Sequence, residues 1–252
     1  MRGGSNGTLS DVDSADLAFH AAAELGPYFA WERRSTTSGW RPLAELSDPG
    51  AVAERVDAAR AVLAGPPRAV ASVAFLGIAS RLVSAPFAAL VLTGVLPVPD
   101  RLWWRPVPSG PLPIAYGAAT AHSGPFVATV VTHTVAPVLG AFADRYRISP
   151  KVMWGNVASA LAGAAGVLAD SRVEHADRAG VVLEQALAEV PLAGAGTVVR
   201  PDPSRARRFL IRRSCCLYYR IAGGGICTDC VLMPDSVRRR AWAAAFARSP
   251  TP

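Results

Sequence analysis

The sequence predicts an α+β fold, predominantly α-helical: a helical domain with a small hairpin, followed by a small cysteine-rich lobe at the C-terminus. Three observations predict it. Apolar residues recur at helical spacing behind cap-and-proline starts such as Ser47-Asp-Pro49 and Ser149-Pro150. Residues 101–118 combine Trp103 and Trp104 with four prolines and a Ser109-Gly110 turn, the texture of an irregular hairpin. Beyond Arg200 the chain turns rich in Arg, Gly and Cys. The expected organisation is a disordered tail at 1–13, a helical domain at 14–199 and a cysteine-rich lobe at 200–252, the two packed as one unit.

Each element has a local reason. Ser14 caps a helix over Ala15 to Leu25. Asp48 as N-cap and Pro49 at the first helical position open a second helix, whose stripe is Val52, Val56, Ala59 and Leu63; Gly65-Pro-Pro67 ends it. Residues 68–96 read as two apolar helices broken near Pro86, because proline removes a backbone donor. Residues 126–146 return to a helical pattern, Ser149-Pro150 opens a helix to about Leu168, and a further helix runs over about 178–190 and stops at Pro191. Phe209–Ile211 and Leu217–Ile221 read as short strands, Gly223-Gly-Gly225 as a flexible turn, and Pro234-Asp-Ser236 as the start of a final helix bearing Arg238–Arg240 and Trp242.

The bulk composition narrows the classes. At 51% apolar and 18% charged residues, 252 residues bury a sizeable core and do not read as a disordered chain. Residues 200–252 hold eleven arginines and three acids, a charge of +8, which leaves −1 of the total +7 for the rest. The basic character thus belongs to the lobe and can attract anionic partners. The N-terminal residues lack a basic stretch followed by an apolar one, so no signal peptide is expected and the compartment is read as reducing cytoplasm. Three uncharged stretches, Leu82–Val98, Phe126–Ala143 and Val152–Ala169, are near the lower limit for a membrane span; interruptions by Pro86, Pro97, His133, Pro137 and Asn156 favour core helices.

The chain's four cysteines are Cys215, Cys216, Cys227 and Cys230, a C-C-x10-C-x2-C pattern. Gathered thiols in a reducing compartment point to metal rather than disulfides. A Cys215–Cys216 bridge would also be strained, since adjacent Cα atoms lie about 3.8 Å apart. Thiolates suit zinc or an iron–sulfur cluster. The adjacent first pair is awkward for one tetrahedral ion, because neighbouring side chains of an extended strand point to opposite faces. A [2Fe–2S] cluster is wider and divides naturally into one cysteine pair per iron. Backbone N–H groups near Gly223–Gly225 are candidates to donate to its sulfurs. Arg212, Arg213 and Arg220, if close, would favour the more negative reduced state.

These residues carry a resemblance. The cysteine pattern, preceded by Arg-Arg-Ser and followed by Leu-Tyr-Tyr-Arg, resembles the FhuF-like ferric siderophore reductase family. The segment from Ile148 to Ser159 resembles that family's Leu-Trp-x-Asn-type stretch, with Met153 in place of Leu. The resemblance implies a [2Fe–2S] cluster held by Cys215, Cys216, Cys227 and Cys230, and one-electron reduction of a ferric siderophore to release Fe(II). No acid, base or nucleophile is needed, so the four ligands are also the catalytic residues. The partners implied are the ferric siderophore and an external electron donor, a ferredoxin or a reductase, in the cytoplasm or at the cytoplasmic face of the membrane. Candidate substrate contacts are Arg212, Arg213, Arg220, Trp103 and Trp104, with a packing role for the tryptophans as the alternative.

Other chemistries find less support. The histidines His20, His122, His133 and His175 are scattered, and His133 reads as a core residue. There is no G-x-G-x-x-G or Walker A stretch. Arg81, alone in an apolar run, needs a partner and either is paired structurally or faces a substrate. Two rival functions remain: a zinc-stabilised nucleic-acid-binding module, and a structural four-cysteine site in a siderophore-biosynthesis-related protein. No recognition element supports nucleic acid as a partner.

Overall fold

The computed structural model describes residues 10–34 and 39–248. Among them are seven α-helices and eight short strands, so the protein is α+β and predominantly helical. Its centre is a pair of long apolar helices, α3 (Pro67–Thr93) and α5 (Pro150–Ser171), packed on each other. Around them lie α1 (Asp11–Ala23), α2 (Pro49–Arg60), α4 (Ala136–Tyr146) and α6 (Ala176–Ala188). Phe75, Phe87, Leu82, Leu161 and Leu168 are fully buried between these layers. Burial of such side chains is the main favourable term in folding, at roughly 1.5–3 kcal/mol each.

The helix starts follow the sequence in two places and depart from it in one. Asp48 and Pro49 open α2, and Ser149 and Pro150 open α5. In contrast, α1 begins earlier than Ser14: Ser10 is its N-cap, and Ser10 Oγ accepts the Asp13 N–H at 3.1 Å. Asp11 and Asp13 in the first turn complement the helix dipole. Of the tail expected at 1–13, residues 1–9 lie outside the described residues, and 11–13 are helical.

Pro86 does not break the apolar run. It sits inside the single helix α3 between buried Ala85 and Phe87. A helix buried on all sides is held by packing, which outweighs the one backbone hydrogen bond that proline removes. Residues Val127–Val135 wind as a π-helix before α4, which buries Val127, Val130, Val131 and Val135 and leaves His133 exposed, not in the core. Three helical stretches, Pro67–Thr93, Val127–Tyr146 and Pro150–Ser171, are long and apolar enough to cross a membrane by length and composition. In this fold most of the apolar window of the first and third is buried against other helices.

The strands form three small sheets. β1 (Glu32–Arg33), β5 (Ile114–Tyr116), β4 (Leu102–Trp104) and β2 (Arg41–Pro42) line up in that order, with β4 and β5 as the expected hairpin. β3 (Leu96–Pro99) pairs antiparallel with β6 (Ala119–His122). β7 (Gly196–Val199) pairs antiparallel with β8 (Phe209–Arg212), Gly196 opposite Arg212. β8 rests on α5 and delivers the chain to the cysteines. The last helix is α7 (Asp235–Arg248).

Candidate metal centre

The cysteine loop begins where β8 ends. Arg212 N–H donates to Asp229 O at 2.9 Å and Arg213 N–H to Ala195 O at 3.0 Å, so the entry to the loop is fixed on both sides. The expected second strand at 217–221 does not form. Leu217 adopts a left-handed φ of 69°, and Tyr218–Arg220 make a single 3-10 turn against α3. This reversal turns Cys215 and Cys216 back toward the rest of the loop. Gly224 closes it: a Cβ there would lie 2.5 Å from Tyr218 O and 2.8 Å from Ile221 O, both backbone atoms that cannot yield.

All four cysteines are free thiols. Cys216 and Cys230 are buried, whereas Cys215 and Cys227 are half-buried, so one edge of the group faces outward. Cys216 Sγ and Cys227 Sγ stand 3.7 Å apart. This contact joins one member of each sequence pair rather than pairing neighbours. Two sulfurs bound to one tetrahedral metal at about 2.3 Å stand roughly 3.8 Å apart, so this spacing fits a shared metal. Backbone donors already point at sulfur: Leu217 N–H at Cys215 Sγ (3.3 Å) and Leu232 N–H at Cys230 Sγ (3.4 Å). Tyr218 N–H does the same for Cys216. These donors to cysteine sulfur come from residues next to the cysteines. Among the described residues no three His, Cys, Asp or Glu side chains are grouped so as to hold one metal ion.

The thiols are poised unequally. The hydrogen bond from Cys227 holds the Cys216 thiol well below the usual range, and the same bond, with burial, pushes Cys227 up. Burial pushes Cys215 up. The guanidinium of Arg212 favours the thiolate at both Cys215 and Cys216.

Arg212 is 1% exposed, so it lies beneath the cysteines and not on a surface where a ligand arrives. Its Nη2 donates to Asn156 Oδ1 (2.8 Å) and Val152 O (3.2 Å), its Nη1 to Ser159 Oγ (3.1 Å) and its Nε to Ser214 O (3.0 Å). Ser159 Oγ in turn donates to Asp229. Asn156 Nδ2 donates to Ser72 O and Ser72 Oγ, and Ser72 Oγ to Cys216 O at 2.8 Å. Two core helices thus grip the loop, α3 through Ser72 and α5 through Asn156 and Ser159. Gly155 makes room for this: a Cβ there would lie 2.7 Å from Arg212 Nη2 and 2.4 Å from Ser214 Oγ. The Trp154-Gly-Asn156 stretch is therefore a cradle for Arg212.

The other expected site residues fall elsewhere. Arg213 and Arg220 are exposed on the lobe, and Arg220 Nε donates to Tyr219 Oη at 3.0 Å. The structure does not bring Trp103 and Trp104 to the cysteines. Trp104 is fully buried under the sheet, and Trp103 lines a separate cleft with Arg34 and His133, which contains no residue of the lobe. Arg34 and Arg41 stack on these two rings at 4.0 and 4.5 Å. Arg81 is the structural case: its guanidinium donates to Leu112 O, Pro27 O and Ala30 O.

Residues 212–232 match the family described as FhuF 2Fe-2S C-terminal domain. The matched stretch runs from Arg212 through all four cysteines, and it supports the FhuF-like resemblance. No curated protein matches the chain. The donor set fits an iron–sulfur cluster: four thiols, backbone N–H groups aimed at sulfur, and the buried cation of Arg212.

Proposed function

We propose that the chain is a ferric siderophore reductase, an oxidoreductase that passes one electron to Fe(III) held in a chelate. Cys215, Cys216, Cys227 and Cys230 would hold a [2Fe–2S] cluster, which when bound supplies that electron. The Fe(III) chelate becomes the Fe(II) chelate, and an external one-electron donor, a ferredoxin or a reductase, replaces the electron. Siderophores are hard oxygen chelators suited to Fe(III), so reduction loosens the metal. The observation that carries this reading is the four-thiol loop with N–H donors on its sulfurs and Arg212 buried beneath it. Arg212 offsets the negative charge of the thiolates, and the half-buried Cys215 and Cys227 form the edge from which an electron can leave. The setting we infer is the cytoplasm, with docking at the membrane's cytoplasmic face compatible with the basic lobe. Nucleic acid is not an expected partner.

Anaerobic purification tests this directly. The expected product is red-brown, with about two irons and two sulfides per chain and an EPR signal after dithionite. The reduced protein should then lose its electron to a ferric chelate, with Fe(II) trapped by a coloured chelator. Cys216→Ser should abolish the visible absorbance. A colourless protein carrying zinc, or a reduced protein that keeps its electron in the presence of ferric chelates, overturns the proposal.

A further inference from the structure

A cleft of about 390 Å³ opens between α5, α7 and the start of β8. Thr228 and Asp229, the two residues between Cys227 and Cys230, form part of its wall, so the cleft borders the cysteine loop. The volume is that of a small-molecule site, about 300–1,000 Å³.

Its chemistry is cationic and aromatic. Arg207, Arg208 and Arg248 line it against Asp170 and Asp229, a balance of one positive charge. Asp229 is engaged by Ser159, and Asp170 pairs with Arg207 Nη1. Arg208 is held by Glu184 (2.7 Å) and Asp177 (3.2 Å). Arg207 Nε is buried without a hydrogen-bond partner, an unmet donor of the kind that costs about 1–3 kcal/mol until an oxygen acceptor meets it. Beside it Phe209 and Trp242 stack with centroids 5.4 Å apart, and the Arg207 guanidinium lies 5.0 Å from the Phe209 ring.

The cleft also continues. Ser80, Ser159, Gly163 and Val167 line both it and a second cavity of about 290 Å³, whose far wall is Leu25, Pro27 and Phe29. The two form one trench along the α3–α5 seam, cationic at the cysteine end and apolar at the other. Gly163 is its floor, and a Cβ there would meet nothing within 4 Å.

We propose that this trench is the substrate site, and that it selects an anionic ferric chelate bearing an apolar arm. This rests on the ferric reductase reading above. The oxygen-rich, negatively charged chelate sits among the arginines and against the Phe209–Trp242 pair, next to Thr228 and Asp229. The arm lies over Gly163 into the apolar cavity. Lining by small residues along α5 keeps that path open.

Binding can be read without electron transfer, because Ga(III) forms chelates of the same charge that cannot be reduced. A Ga(III) tris-catecholate with an acyl arm is titrated calorimetrically into the oxidised, cluster-loaded protein. It should bind at least about tenfold tighter than the complex without the arm. Gly163→Phe should weaken the armed complex about tenfold or more while the cluster absorbance stays intact. Gly140→Phe, placed in equally open space on α4, is the control and should bind like the parent. Trp242→Ala on the partly exposed α7 gives a second reading, with weaker binding of both complexes. Parent-like binding in both Gly163→Phe and Trp242→Ala overturns the site even if ferric reduction is normal. Trench-dependent Ga(III) binding in a protein that does not reduce the Fe(III) chelate upholds the site and overturns the reductase reading.

Discussion

Arg81 and Arg212 are both buried, at 2% and 1% exposure, and both guanidinium groups are held by uncharged oxygens. Neither has an ion pair among the described residues. Arg81 projects from the middle of α3 and collects three backbone carbonyls, from Pro27, Ala30 and Leu112. It ties two separate loops to the core, and burial pulls its pKa down to about 10. Arg212 projects from the end of β8 and collects mostly α5 acceptors, and its field falls on Cys215 and Cys216. An isolated buried charge is costly unless something repays it. At Arg81 the repayment is architecture. At Arg212 it is the negative charge of the thiolates. Residue type and burial alone therefore do not give the role; what lies across from the charge does.

The largest effect expected is on Arg81. Arg81→Met takes the side-chain donor from three carbonyls, one buried and two part-buried, and should cost about 3 kcal/mol of stability, read as a lower urea midpoint. The protein that remains folded should keep its cluster absorbance and reduction potential. A shift in potential, or an unchanged midpoint, would erase the distinction between the two arginines.

Next comes the cradle. Gly155→Ala places a Cβ where the Arg212 guanidinium and Ser214 hydroxyl now sit. Overpacking of this kind costs about 1–3 kcal/mol. Because the clash displaces Arg212, this variant should lose cluster absorbance on heating before the far-ultraviolet circular dichroism of the helices changes. Simultaneous loss of both signals would mean that the cradle serves the core rather than the loop.

This cradle also shows where the sequence was readable and where it was not. Caps and prolines placed α2 and α5 because Asp48-Pro49 and Ser149-Pro150 act locally. The Trp104 hairpin was visible through its prolines and turn, and the cysteines through spacing alone. Pro86 misled because a buried helix answers to its neighbours, not to one missing donor. Leu217 misled because its positive φ is imposed by the closing loop and leaves no trace in residue type. Arg212 was legible only as one of three arginines, with Arg213 and Arg220, that would favour the reduced state or meet the substrate. Only the fold shows that Asn156, Ser159 and Gly155, more than fifty positions away, enclose it. The arginine–aromatic trench was likewise invisible, since its walls come from four separate elements.

Arg212→Gln tests the other half of the comparison. The neutral side chain can retain a hydrogen bond to its neighbours but removes the positive charge. Reduction adds negative charge at the thiolate site, so loss of a nearby cation disfavours the reduced state. The reduction potential should fall by on the order of 60 mV, equivalent to about 1.4 kcal/mol for one electron. Spectroelectrochemistry on fully loaded protein reads this, and an unchanged potential would assign Arg212 to architecture alongside Arg81.

The smallest effect expected is at Ser72, where the two roles meet. Its hydroxyl donates to Cys216 O and accepts from Asn156 Nδ2, which links α3, the α5 cradle and the cysteine loop through one oxygen. Ser72→Ala removes both bonds and leaves a buried carbonyl and amide short of a partner. One such bond is worth about 1 kcal/mol net. That loss is small against the whole fold but falls on the segment that positions Cys216. The thermal midpoint should therefore move slightly, while a strong iron chelator should bleach the cluster several times faster than in the parent. If the bleaching rate is unchanged and the midpoint alone shifts, Ser72 braces the helices without holding the loop, and the grip on the cysteines rests on α5 and Arg212.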